Sequence, residues 1–153
     1  MPQPAASPLR FVMVRLGGQE FAVPAARLCG MVLLRTADLR RADPDGPLRF
    51  TLEFESRSVP VLVAHSMLGL DERAPTSRAC LLLIRDAGRP CAGPPSDAAF
   101  ALAVDSVSRI EEVPPSGWRP PGRIRLGDVW RDVLDPDQLF RTALAHPASF
   151  TTN

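Results

Sequence analysis

Two histidines, three cysteines, a late acidic run and an arginine–tryptophan cluster are the side chains that could carry chemistry in this chain. His65 precedes Ser66, a pair in which an imidazole could take a hydroxyl proton. No glycine elbow surrounds Ser66, and the second histidine, His146, falls in a terminal tail. A nucleophile, a base and an orienting group therefore do not assemble. Cys29, Cys80 and Cys91 are odd in number and share no C-x-x-C spacing, so they suggest neither a disulfide framework nor a zinc site. Cys80 lies in an apolar run and reads as a buried thiol. Asp128, Asp132, Asp135 and Asp137 read as a solvated turn and a helix cap. All 18 basic residues are arginine, which excludes a lysine nucleophile or Schiff base. The phosphate-loop, dinucleotide and H-E-x-x-H patterns are absent. The reading is a non-enzyme with no metal and no cofactor.

Arg119, Arg123, Arg125 and Arg131 cluster beside Trp118 and Trp130, which could stack bases and hold phosphates. Asp128 and Asp132 offset part of that charge, and the whole chain carries only +1. A small nucleic-acid-binding β-barrel is thus an alternative from another class, opposed by the missing basic footprint. The first eight residues lack a charged n-region and an apolar h-region, and no apolar run approaches the roughly 18 residues that span a bilayer. The expectation is a cytoplasmic protein without direct membrane insertion.

The elements around these residues are short strands. Phe11 to Leu16 is nearly all apolar, as in a barrel wall or a strand buried on both faces. Gly17-Gly18 supplies the positive φ of a tight hairpin turn, Glu20 to Val23 forms the return strand, and Pro24 ends it. Ala25 to Leu34 predicts a helical turn running into a strand. Asp43-Pro44-Asp45-Gly46-Pro47 marks a turn. Leu48 to Phe54 alternates as a half-buried strand, and Ser58 to Ala64 is a strand that Pro60 assigns to an edge or a bulge. A short helix over His65 to Leu70 stops at Gly69. Ala79 to Ile84 is a fully apolar strand, and Asp86 to Asp97 is a loop. Ala98 to Val104 is a strand continuing through Asp105 to Val113. Ile124 to Leu134 holds one or two strands, and Asp135 caps a helix from Pro136 to about Leu144. Seventeen prolines exclude a helical bundle, since an interior proline costs a helix about 3 kcal/mol.

About eight strands with brief helices predict a mainly β protein, a pair of small barrels or a sandwich. Leu28, Met31 and Val32 follow the hairpin, and Val104 and Val107 follow a late strand. Facing each other across a seam, they would form an apolar groove for a helix; otherwise they are plain core.

Four stretches in order resemble CheW, the coupling protein of bacterial chemosensory arrays: Phe11 to Pro24, Val59-Pro60-Val61 with Leu68-Gly69-Leu70, Phe100 to Val113, and Leu134 to Phe140. The resemblance implies two intertwined SH3-like β-barrels with short helices over residues 10–144, between tails at 1–9 and 145–153. It implies a scaffold that binds the cytoplasmic hairpin tip of a methyl-accepting chemoreceptor in the groove between barrels. It also implies docking on a CheA-type histidine kinase, or another CheW-like protein, barrel end to barrel end. By resemblance Leu28, Met31, Val32, Val104 and Val107 line the receptor groove.

The departures are specific. The family's Asn-Leu-Arg-Gly is Glu53-Phe54-Glu55-Ser56 here, which reverses a charge and removes the turn glycine. The Asp-Leu-Arg after the proline strand is Val63-Ala64-His65, and the acidic residue of the first short helix is Gly30. The segment between Val113 and Leu134 is short, so a strand is expected to be missing and the C-terminal part shortened. A reversed charge at a docking surface repels its partner. Glu55, Ser56, Val63 and His65 are therefore read as divergent kinase-interface positions. The expectation is an adaptor that keeps receptor binding and loses much of its kinase binding, similar to the accessory FrzB-like members of Frizzy-type pathways. An ordinary CheW that binds both partners is the alternative.

Overall fold

The computed structural model describes residues 8–43, 45–86, 97–119 and 122–145. Cys91, His146, the outer parts of both tails and most of the 86–97 loop lie outside the described residues.

Twelve strands occur among the described residues: β1 Leu9–Leu16, β2 Gln19–Pro24, β3 Leu28–Leu33, β4 Leu39–Arg41, β5 Phe50–Phe54, β6 Arg57–Leu62, β7 Cys80–Arg85, β8 Ala98–Val104, β9 Ser106–Val113, β10 Trp118–Arg119, β11 Arg123–Leu126 and β12 Val129–Asp132. One α-helix, α1, runs Pro136–Ala145. Asp135 Oδ1 accepts the N–H groups of Asp137 and Gln138 at 3.0 and 3.3 Å, the expected N-cap with proline at the first helical position.

The chain builds two barrels and crosses between them. It starts in the first with β1 and β2, leaves for the six-stranded sheet β3-β7-β8-β6-β5-β4, and returns with β9, which pairs with β1. The antiparallel meander β10-β11-β12 completes the first barrel through a parallel bridge from Val133 to Ala22 and a Leu134 N–H···O=C Ala22 bond of 2.8 Å. β8 and β9, read as one strand from sequence, belong to different sheets. Asp105 is the corner between them, its N–H bonded to the Arg15 carbonyl at 2.9 Å.

Three apolar clusters result. Phe11, Met13, Ala22, Val113 and Ile124 fill the first barrel. Leu52, Val59, Val61, Val63, Leu81, Leu83 and Ala101 fill the second. Val12, Val14, Leu16, Leu62, Leu82, Ile84, Phe100 and Leu102 form a core shared by both. Successive residues of a strand point to opposite faces, so the parts of β1 and β7 that lie between two cores, Phe11 to Val14 and Cys80 to Ile84, are apolar on both faces. α1 closes one end of the shared core: Phe140 stacks on Phe100 with centroids 4.5 Å apart, worth about 1 kcal/mol beyond area burial.

Two expectations are corrected. Pro60 lies in an interior strand, because the parallel pairing of β6 with β8 starts only at Val61, and beside Pro60 that flank has no ladder partner to miss a donor. The strand expected to be missing after Val113 is supplied by the meander: β11 and β12 fit within Arg123–Asp132 because Gly127, at φ 62°, allows a two-residue turn. The polar stretch after Thr36 also hides a strand, β4, whose three residues are too few to show a period.

Candidate interaction site at the barrel seam

In an antiparallel pair, directly opposed residues share a face. Met31 opposes Leu82 and Leu33 opposes Cys80, and both partners belong to the shared core. Met31 and Leu33 therefore lie on the shared-core side of the outermost strand of the six-stranded sheet, 56% and 41% exposed. On β9, the outer strand of the other sheet, Ile110 opposes Val12 of the shared core and is 58% exposed. These three side chains are the uncovered margins of the seam.

The five sequence-predicted groove residues divide. Val104 is buried in the shared core, and Leu28 and Val107 pack half-buried against it. Met31 lies on the same side and is exposed. Val32 opposes Leu81 and packs into the second barrel, on the other face of the sheet. Leu33 and Ile110 were missed. The i, i+2 spacing from Met31 would have shown Leu33; Ile110 is hidden among charged neighbours and needs the register of β9.

The four divergent positions divide as well. Glu55 and Ser56 are exposed at the tip of the β5–β6 hairpin, with φ of 48° and 65°. Both are left-handed, a conformation that suits Asn-Gly and strains Glu-Ser. Beside them Glu53 accepts hydrogen bonds from the Ser58 and Thr51 hydroxyls at 2.7 and 3.3 Å. Val63 and His65 are 8% and 5% exposed, so neither offers a side chain to a docking partner. Val63 fills the second barrel. His65 Nε2 lies 2.9 Å from Asp105 Oδ1, and Asp105 Oδ2 accepts the Gly17 N–H at 2.7 Å. That chain of contacts ties the first hairpin, the β8–β9 corner and the 65–70 turn together.

The arginine–tryptophan cluster is engaged within the protein. Arg123 pairs with Asp132 at 3.2 Å, Arg125 with Asp128 at 3.9 Å, and Arg131 with Glu20 at 3.1 Å. Arg119 lies over Trp130 at 4.8 Å, and Trp118 stacks on Phe11 at 6.1 Å. Neither the charges nor the ring faces are arranged as a platform for bases. Burial pushes Glu20 upward, but Arg109 and Arg131 outweigh it and hold the carboxylate below its ordinary range. Burial raises the thiols of Cys29 and Cys80, which keeps both as thiols and poor nucleophiles. No group of three or more potential metal ligands occurs among the described residues. No helix among them is long and apolar enough to cross a membrane.

The sequence matches the CheW-like domain family over residues 10–142. The fold is similar to that of the scaffolding protein TtCheW from Thermoanaerobacter tengcongensis, with a TM-score of 0.72 over 92% of both chains at 12% identity. No curated protein matches the sequence.

Proposed function

Because the chain belongs to the CheW-like domain family, we propose that it is a non-catalytic scaffold of chemosensory signalling that binds the cytoplasmic hairpin tip of a chemoreceptor along the seam between its barrels. The observation that carries this reading is the apolar margin of Met31, Leu33 and Ile110, which continues the shared core outward over Leu28 and Val107. A helical tip with an apolar stripe would cover it, removing exposed apolar surface from water. The test is calorimetry of a receptor signalling fragment against the protein and its Met31→Glu variant. Met31 is exposed, so the variant folds; binding is expected to weaken at least about tenfold. Equal binding by the two proteins would remove the seam from the account.

Kinase binding is reduced in this reading. The acidic Glu55 stands at a hairpin tip where the family's pattern places arginine, and repulsion across a docking face weakens association. That behaviour would fit an accessory, FrzB-like member of an array. The second reading, an ordinary coupling protein that also binds the kinase or another CheW-like chain, is favoured by the meander β10-β11-β12, which supplies the strand expected to be missing after Val113. Both readings act in the cytoplasm, where receptor tips lie.

A further inference from the structure

Arginine is held by a carboxylate at several places in this fold, as Arg27, Arg49, Arg109 and Arg131 are. Beside the first hairpin it is not. Arg15, near the end of β1, and Arg73 and Arg78, on the 71–78 loop, line one notch of about 210 Å³. All three are exposed, and their guanidinium groups have no hydrogen bond or ion pair among the described residues. The notch depends on Gly18. A Cβ there would stand 2.8 Å from Arg73 Nη2 and 3.3 Å from its Cζ, so the missing side chain is what lets the Arg73 guanidinium lie against the hairpin tip.

The acids nearby are engaged elsewhere or lie off the notch. Asp105 lines it, but its Oδ1 meets His65 Nε2 at 2.9 Å and its Oδ2 accepts the Gly17 N–H at 2.7 Å. Glu72 is taken by Arg49 at 2.6 Å, and Asp71, exposed on the same loop, is not in the lining. Three guanidinium charges thus face one carboxylate whose oxygens are already occupied. Two hydroxyls add donors. Ser106 lines the notch, and Thr76 accepts the Arg78 N–H at 3.1 Å, which leaves its own hydrogen to donate.

Size and donor count select the ligand. The notch falls below the range of drug-sized pockets, so it takes a compact group. A carboxylate has two oxygens and one charge, too few for this set of donors. A phosphate group has three terminal oxygens and a charge of about −1.5 to −2 at neutral pH, and guanidinium forks match its geometry. We propose that the notch between the first hairpin and the 71–78 loop binds the phosphate group of a small phosphorylated molecule, with Arg15, Arg73 and Arg78 on its oxygens. The site shares no residue with the apolar margin of the seam or with the Glu55–Ser56 tip. Its test uses neither receptor nor kinase, so it stands or falls apart from the scaffold reading.

The test titrates the 15N-labelled full chain with inorganic phosphate and, at matched ionic strength, with acetate, following the Gly18 and Ser106 amides and the Arg73 Nε–Hε group. Phosphate is expected to give a saturable shift at these groups, and acetate to bind at least about tenfold more weakly. Arg15→Gln and Arg78→Gln change exposed side chains without partners, so both variants fold, and each should weaken phosphate binding about threefold. Arg40→Gln removes an exposed, unpartnered arginine of β4 and should leave binding unchanged. A shift that does not saturate, equal binding of acetate, or an equal loss in Arg40→Gln overturns the proposal and leaves only the general attraction of anions to a basic surface. Co-sedimentation with phosphatidylcholine vesicles carrying phosphatidic acid, lost in Arg73→Gln, also overturns it, by assigning the arginines to a membrane surface.

Discussion

Gly17-Gly18 and Glu55-Ser56 turn their hairpins through the same left-handed backbone, with φ of 59° and 86° at one tip and 48° and 65° at the other. Their surroundings differ. A Cβ on Gly17 would lie 2.9 Å from Leu70 Cβ and 3.1 Å from the Asp71 carbonyl, and one on Gly18 would meet the Arg73 guanidinium at 2.8 Å. The Gly17 N–H is held by Asp105. Gly17 is enclosed and follows from space as well as from dihedral angle, whereas Gly18 is exposed and its Cβ would meet only the flexible Arg73 side chain. The second tip is exposed and carries two residues whose Cβ atoms disfavour their own backbone. An enclosed turn is fixed by the fold. An exposed turn that keeps strained residues points to a demand other than stability, and here that tip is the one that departs from the family's pattern.

The contrast can be broken most severely at the enclosed tip. Gly17→Ala adds a methyl where no room exists and strains a left-handed residue, so urea unfolding should show a loss of about 3 kcal/mol. A loss below about 1 kcal/mol would mean that Leu70 and Asp71 yield easily and that the enclosure is soft. At the open tip the sign reverses. Glu55→Asn with Ser56→Gly relieves the strain and should stabilise by about 1 kcal/mol, with receptor affinity unchanged. A destabilised double variant would show that Glu55 or Ser56 makes a contact that stabilises the hairpin.

The smallest effect is electrostatic. Glu20 follows the glycine tip and is held by Arg109 and Arg131, and Asp137 is hydrogen-bonded by Arg27 at 2.7 and 2.9 Å. The Arg27 bonds and charge hold Asp137 below its ordinary range, as the two arginines hold Glu20. A carboxylate lowered by folding adds stability that is complete above its unfolded value, roughly 4.3 for Glu and 3.9 for Asp, and is lost as pH falls through the lower folded value. Acidification below about pH 4.5 should therefore destabilise the protein. Arg131→Ala should flatten that limb by about a few tenths of a kcal/mol, since these pairs are partly exposed. A steeper acid limb in the variant would contradict the assignment. Glu53, at the open tip, accepts side-chain hydrogen bonds from the Thr51 and Ser58 hydroxyls.

The strands that line two cores were legible, because residues buried on both faces leave an apolar run, as in Phe11 to Val14 of β1 and Cys80 to Ile84 of β7. The first hairpin, the Gly69 stop and the capped helix were legible from turn and cap chemistry. The crossing at Asp105 was not, since Val104 to Val107 reads as continuous strand and only the pairing partners reveal two sheets. Pro60 misled because its effect depends on which flank lacks a partner. Apolar type puts Val104 in the shared core and Leu28 and Val107 against it, whereas Val32 is separated from Met31 only by register. Val63 and His65 looked divergent in type, but their burial gives them a place in the fold's interior.

The central claim is that the seam binds receptor while the Glu55–Ser56 tip weakens kinase docking. It is tested most directly by calorimetry of the wild-type protein and its Glu55→Arg variant against a receptor signalling fragment and a kinase regulatory domain. The expected result is receptor binding that is the same in both proteins, with kinase binding that is weak in the wild type and at least about tenfold stronger in the variant. Tight kinase binding by the wild-type protein, unchanged by Glu55→Arg, would contradict the claim and identify an ordinary coupling protein; no receptor binding by either protein would leave only the fold in common with the family.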